Sequence, residues 1–239
     1  IAETLAVKVP HRTVVVSRTL QTYLEMKYPK RIDFIPNGVD HATPAPLDGL
    51  KRFEVRSRGY VLFLSRIVPE KGLDLLIEAF RELETDLRLL IVGDAHYDRA
   101  YGEALRETAK GDSRILFTGP LFGEEKEEAL SNAFLFVLPS YIEGMSIVLL
   151  EAMSHGQCPV VSDISENLEV IGSPGSDESV GVSFKSGDAS DLRRILKDLI
   201  ANPARVQEIG EKAREKARRE FNWDRIANQY AELYESMIQ

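Results

Sequence analysis

"YIEGMSIVLLEAMSHGQCPVVS", residues 141–162, reads as a loop, a helix, a tight stop and a strand. Ile147, Val148, Leu149, Leu150, Ala152 and Met153 leave almost no polar face, the pattern of a helix buried on all sides. Ser146 stands where a capping hydroxyl is wanted, and Gly156 with Pro159 makes the stop. "CPVVS" (158–162) then predicts a short buried strand. A buried helix feeding a buried strand is the building unit of a parallel sheet. Glu151 interrupts the apolar run, and Glu143 precedes it. A carboxylate in such surroundings is costly unless it is paired.

Outward from this stretch the same alternation repeats. Strands are predicted at 60–65, 87–93, 114–119, 133–140, 158–162 and 181–184. Between the first two lies a helix over Leu73–Leu83, with Leu73, Leu76, Ile77, Phe80 and Leu83 on one face. Near-continuous apolar strands separated by helices predict an α/β fold with a doubly wound parallel sheet. Residues 1–40 hold a strand (13–17), a helix (about 18–28) and a strand (32–35). Residues 41–58, rich in proline and charge, are read as a linker. From about 188 onward the chain is helical, and "EKAREKARREF" reads as a solvated face because acids and bases interleave.

Composition narrows the function. The 239 residues are long enough to bury a core, and a hydrophobic share of 44% is ordinary for a soluble domain. A formal net charge of −8 argues against a general nucleic-acid binder, so an anionic ligand would need local cations. Cys158, the single cysteine, permits no intramolecular disulfide and reads as core. No run approaches the roughly 18 apolar residues of a membrane span. The chain starts at Ile1 without a methionine and is read as a piece of a longer protein, which leaves its targeting open.

In open parallel sheets ligands bind beyond the carboxyl ends of the strands. That rule selects "SRIVPEKG", "GDAHYD", "TGPLFG", "PSYIEGMS" and "SDISEN". Arg66 and Lys71 beside a helix start could hold a diphosphate. The same spacing equally fits an Arg66–Glu70 pair with Lys71 solvated. Gly144 permits close backbone approach. On a helical path Glu143 and Glu151 would lie only about 80° apart, so both can face one cleft. Glu151 fits a buried salt bridge or, more sharply, a ligand diol; Glu143 fits an exposed loop position. Phe122 and Tyr141 read as core edge, and His96 and His155 as surface or helix-end residues. The chain has no P-loop, no Gly-x-Ser-x-Gly, no Gly-x-Gly-x-x-Gly and no Asp-x-Asp.

In order, "VSRTL", "FIPNGVD", "LFLSRIVPEKGLDLLIEAF", "LLIVGDA", "ILFTGPL", "PSYIEGMSIVLLEAMSHGQCPVVSDISENLEVIG" and "FNWDRIANQY" resemble the donor-binding half of the retaining glycosyltransferases of family 4. The resemblance implies a GT-B fold of two Rossmann-like domains and a nucleotide-diphospho-sugar as co-substrate, with no metal or other cofactor. It implies that Arg66 and Lys71 grip the diphosphate, that Glu151 binds the ribose hydroxyls and that Glu143 touches the transferred sugar. Backbone N–H groups of Gly144, Met145, Ser146 and Ile147 would approach sugar and phosphate, and backbone at Pro120 and Leu121 would meet the base. Transition-state help would come from positive charge on the leaving diphosphate. Glu143 is not assigned as a covalent nucleophile.

Many members carry a glycine pair where this chain reads "SEN" (165–167), which leaves the acceptor-side contacts of Glu166 and Asn167 open. The resemblance divides the chain into the end of an acceptor-side domain (1–40), a linker (41–58), a nucleotide-sugar-binding domain (59–221) and a helix returning to the first domain (222–239). Such a piece is expected to bind donor without transferring sugar. The expected acceptor is a glycan or lipid-linked hydroxyl, and the expected location is cytoplasmic, with any membrane contact made through the N-terminal domain. A sugar-nucleotide epimerase of similar architecture and a non-catalytic nucleotide-sugar-binding module are the alternatives.

Overall fold

The computed structural model describes residues 2–176 and 178–238. In chain order the strands are β1 (Val14–Val15), β2 (Asp33–Phe34), β3 (Tyr60–Leu64), β4 (Arg88–Val92), β5 (Ile115–Gly119), β6 (Leu135–Leu138), β7 (Pro159–Ser162) and β8 (Val182–Phe184). The helices are α1 (Ala2–Lys8), α2 (Arg18–Lys27), α3 (Leu73–Arg81), α4 (Arg99–Ala109), α5 (Gly123–Asn132), α6 (Ile147–Ser154), α7 (Ser165–Ile171), α8 (Ala189–Ala201), α9 (Pro203–Glu220) and α10 (Trp223–Ile238). All six strands from β3 onward join one parallel sheet in the order β5-β4-β3-β6-β7-β8.

The period of two along each strand divides the core in two. Tyr60, Leu62, Phe136, Leu138 and Val161 face Leu130, Leu149, Leu150, Met153 and Ala213 on α5, α6 and α9. Val61, Phe63, Leu89, Ile91, Val137 and Val160 face Leu73, Leu76, Phe80, Leu196 and Leu199 on α3 and α8. Each fully buried Leu or Phe in these layers contributes about 1.5–3 kcal/mol. Cys158 lies in the second layer, where burial pushes its thiol up to about 12. It is a core residue.

One part differs from the sequence reading. Residues 41–58 are pinned to the sheet domain: Leu50 is fully buried on a short 3-10 turn, Gly49–Phe53. The Glu128 carboxylate on α5 accepts from the N–H groups of Asp48, Gly49 and Leu50 at 3.0–3.2 Å. In α9 the "EKAREKARREF" stretch keeps the solvated face read from the sequence, with Ala213, Lys216 and Ala217 buried on the other side.

Residues 2–35 form a small layer of their own, with α1 unforeseen and a satellite core of Val7, Val15, Leu24, Tyr28 and Ile32. β1 and β2 pair in parallel there. α10 has only Ile226 buried, while Tyr234, Met237 and Ile238 are exposed. No described helix is long and apolar enough to cross a membrane.

Candidate functional site

Strand order decides where the loops meet. The chain runs outward from β3 to β4 and β5, then returns to β6 on the other side of β3. The crevice beyond the carboxyl ends of β3 and β6 is therefore the switch point, where this class of sheet binds ligands. The loop after β3 carries Arg66 and Lys71, and the loop after β6 carries Glu143. Gly72 lets the loops touch: its φ is +62°, and an added Cβ would sit 2.2 Å from the Pro139 carbonyl oxygen. Tyr141 N–H donates to the Glu70 carbonyl at 2.8 Å, closing the junction.

Lys71 Nζ lies 2.5 Å from Glu143 Oε1, with the two side chains only 13% and 8% exposed. Ser140 donates its hydroxyl to the same oxygen at 2.7 Å. Among the described residues, Glu143 Oε2 has no hydrogen-bond partner. Glu143 is thus not an exposed loop carboxylate, and Lys71 is not solvated. Arg66 stands apart from this pair. It is exposed, its guanidinium 5.7 Å from the centroid of the Tyr97 ring, and it makes no ion pair with Glu70.

The loop then enters α6. Ser146 Oγ accepts from Leu149 N–H at 3.4 Å, so the expected cap is present. The N–H groups of Gly144, Met145, Ser146 and Ile147 reach no protein acceptor among the described residues. A fixed scaffold holds them, because Asn37 Nδ2 donates to the Met145 carbonyl at 3.0 Å. Unfilled N–H donors at a helix start, with Lys71 alongside, attract anions.

Glu151 departs from the expectation of a carboxylate buried in an apolar helix. The exposed side of Ile147 and the half-buried Glu151 give α6 a solvent edge. Lys126 Nζ on α5 donates to Glu151 Oε1 at 2.8 Å, the two side chains being 27% and 24% exposed. The two carboxylates therefore do not share a partner; each has its own lysine on Oε1. Glu151, Lys126, Glu127, His155 and Trp223 line a cavity of about 320 Å³ roofed by residues 38–42, which Glu143 does not enter. Two larger grooves of about 640 Å³ lie elsewhere, one between α3 and α8 and one between α2 and α10. Pro120 is exposed and Leu121 is buried. Phe122, read as core edge, is 77% exposed.

His155 ends α6, its ring between Glu127 Oε2 at 2.9 Å and Ser131 Oγ at 3.0 Å. Burial holds its pKa below the ordinary histidine value, against the pull of Glu127. Of the two places its position in the sequence suggested, surface or helix end, it takes the helix end, with its side chain buried. Asn167 is 1% exposed with its amide turned inward to Ser162, so it presents no side chain to an acceptor. Lys126, Ser162 and Glu169 were not singled out from sequence. Lys126 was masked by its acidic neighbours, and no local signal marks the others.

Residues 51–216 match the family described as glycosyl transferases group 1, and the chain belongs to that family. It is 30% identical over 229 residues to alpha-maltose-1-phosphate synthase of Mycolicibacterium smegmatis, covering 90% of this chain and 59% of that protein. It is 34% identical over 212 residues to phosphatidyl-myo-inositol mannosyltransferase of Mycobacterium leprae, covering 85% of this chain and 53% of that protein. The chain thus spans a little over half the length of these relatives. The crystal structure of Anabaena HepE with UDP-glucose matches in fold, with a TM-score of 0.87 over 98% of this chain and 66% of that one, at 22% identity.

Proposed function

We propose that this chain is the donor-binding half of a retaining, metal-independent glycosyltransferase of family 4, taking sugar from a nucleotide-diphospho-sugar to an acceptor hydroxyl. In this reading residues 59–221 hold the donor, while residues 1–40 and 222–239 belong with an acceptor-side domain. The observation that carries it is the Lys71–Glu143 pair set beside the unfilled N–H groups of Gly144–Ile147. An ammonium has three donors, and Glu143 occupies one, so Lys71 can also hold a diphosphate oxygen. Arg66, exposed on the same loop, closes on the phosphates. Glu143 Oε2 then accepts from a sugar hydroxyl, and Glu151 Oε2 from a ribose hydroxyl, while each Oε1 stays on its lysine. Negative charge that builds on the leaving diphosphate would be met by Lys71, Arg66 and the α6 N-terminus. The lysine–arginine clamp supplies that charge without a metal.

The test is a thermal-shift and calorimetry panel of UDP, GDP and ADP with UDP-glucose, GDP-mannose and ADP-glucose, with and without EDTA. A ligand that binds only the folded state stabilises it by about 2.7 kcal/mol at 100 times its Kd. One nucleoside diphosphate is expected to raise the melting temperature more than its nucleoside does, unchanged by EDTA. No shift with any member at millimolar concentration would overturn the reading.

A further inference from the structure

Behind Glu143 lies a chain of buried polar groups that neither the helices nor the sheet require. Ser140, fully buried at the end of β6, donates its hydroxyl to Glu143 Oε1 at 2.7 Å. The Ser140 carbonyl accepts from the hydroxyl of Ser162, which is fully buried at the end of β7. Ser162 Oγ in turn accepts from Asn167 Nδ2 on α7 at 3.0 Å, and the same amide reaches the Ser162 carbonyl at 3.2 Å. Replacing both members of such a buried pair by apolar groups of the same shape can be nearly neutral. Packing alone therefore does not call for the bond between the Ser140 and Glu143 side chains, although the Ser140 and Ser162 carbonyls need their partners in any case. The two hydroxyls have different tasks: that of Ser140 ends on Oε1, while that of Ser162 holds the Ser140 backbone by its carbonyl.

We propose that Ser140, backed by Ser162 and Asn167, is a positioning residue that fixes the Glu143 carboxylate so that Oε2 meets the donor sugar. This rests on the reading of Glu143 as the sugar-facing group. Two donors on one oxygen, Ser140 and Lys71, set both the place and the plane of the carboxylate. Oε2 is then aimed by geometry, without being ordered anew on each binding event. Lys71 alone cannot do this once a diphosphate draws on its remaining protons. The relay also ties the sugar-facing loop after β6 to the loop after β7, so sugar contact depends on groups that never touch ligand.

The test measures, by calorimetry on this chain, how much the sugar adds to affinity: the ratio of the Kd of UDP to that of UDP-glucose. The GDP/GDP-mannose and ADP/ADP-glucose pairs are run beside it. Ser140→Ala is expected to cut that ratio by about 3–10-fold, with nucleoside-diphosphate affinity unchanged within about twofold. In a Glu143→Gln background it is expected to change nothing further. Ser162→Ala, which removes the backing and spares Ser140, should act in the same direction more weakly, and it provides the readout if Ser140→Ala does not fold. Equal losses for both ligands would make Ser140 merely structural and overturn the inference. So would an unchanged ratio in Ser140→Ala while Glu143→Gln lowers it, and that result leaves the functional reading intact. An unchanged ratio in Glu143→Gln would instead remove Glu143 from the sugar, and the inference with it.

Discussion

α2 and α6 begin alike and end up in opposite states. Each has a serine cap that accepts from the N–H three residues on: Ser17 from Leu20 at 3.3 Å, Ser146 from Leu149 at 3.4 Å. At α2 the two remaining donors of the first turn are also filled. Glu169, carried on α7, accepts from Arg18 N–H at 2.8 Å and Thr19 N–H at 2.7 Å. At α6 the corresponding donors of Ile147 and Val148 have no protein partner among the described residues. A carboxylate is nearby there too, but Lys71 and Ser140 hold Glu143 by its other side. Capping chemistry alone does not say whether a helix end is available to a ligand. A carboxylate some 150 residues away in the chain decides it at α2.

The largest break in this contrast should come from Lys71→Ala. It leaves Glu143 nearly buried with Ser140 as its one fixed partner, so the charge must find another site or stay unpaired. The open N–H groups of α6 are the obvious site, which would plug α6 as Glu169 plugs α2. Breaking a fully buried pair costs 3–5 kcal/mol, and this one is slightly exposed, so about 2–4 kcal/mol is expected by urea unfolding. Nucleoside-diphosphate affinity should fall by about 10–100-fold, since a cation is lost and its anion released. A stability loss below about 1 kcal/mol would mean that the pair sits in water and holds nothing in place.

Glu169→Ala attacks the other side of the comparison. It removes a charged cap from α2 and loosens the joint between the small N-terminal layer and α7, at a cost of about 1–2 kcal/mol. The freed N–H groups make a second anion-binding end, so added sulfate should recover more stability in the variant than in the wild type. Identical sulfate responses would mean that α2 is not opened by the loss of Glu169.

The sequence and structure part company along the same line. All six strands of the main sheet and the limits of α6 were legible, because apolar runs, Ser146 and Gly156 act within one or two turns. The placing of Lys71 and Glu143 in loops at the carboxyl ends of the strands was legible, and the resemblance gave them neighbouring parts of one ligand, but their direct pairing was not foreseen. Their contact spans 72 residues, and that of Lys126 with Glu151 spans 25. Glu128 is one acid among several on α5 and carries no local mark, yet it holds residues 48–50 in place. Asn167 sat in the one loop where the family pattern failed, and only packing reveals that it faces inward. Local periodicity carries elements; long-range polar partners need the fold.

The smallest effect concerns the far ends of the two helices. α2 ends in solvent at Lys27, which pairs with Glu3, whereas α6 ends at His155, whose side chain is only 4% exposed. α6 is thus open at its start and anchored at its stop. Because burial lowers the pKa of His155 from 6.5, the folded protein resists a proton that the unfolded chain accepts. Above pH 6.5 both states are neutral there and the residue adds no pH dependence. Below it, stability falls with pH until the lowered folded pKa is reached, by at most about 1.4 kcal/mol per pH unit. Glu127, at 2.9 Å, opposes the shift, so the effect is expected to be the smallest of the three. Asp33 and Asp112 do not interfere, since Arg12 and Arg114 hold them below 3.8 and their stabilisation is lost only at still lower pH. His155→Gln has a fixed cost at every pH but should flatten the profile between pH 6.5 and 5, read from urea midpoints. Parallel profiles for variant and wild type would show that His155 takes its proton without resistance, and the anchored end of α6 would then owe nothing to its burial.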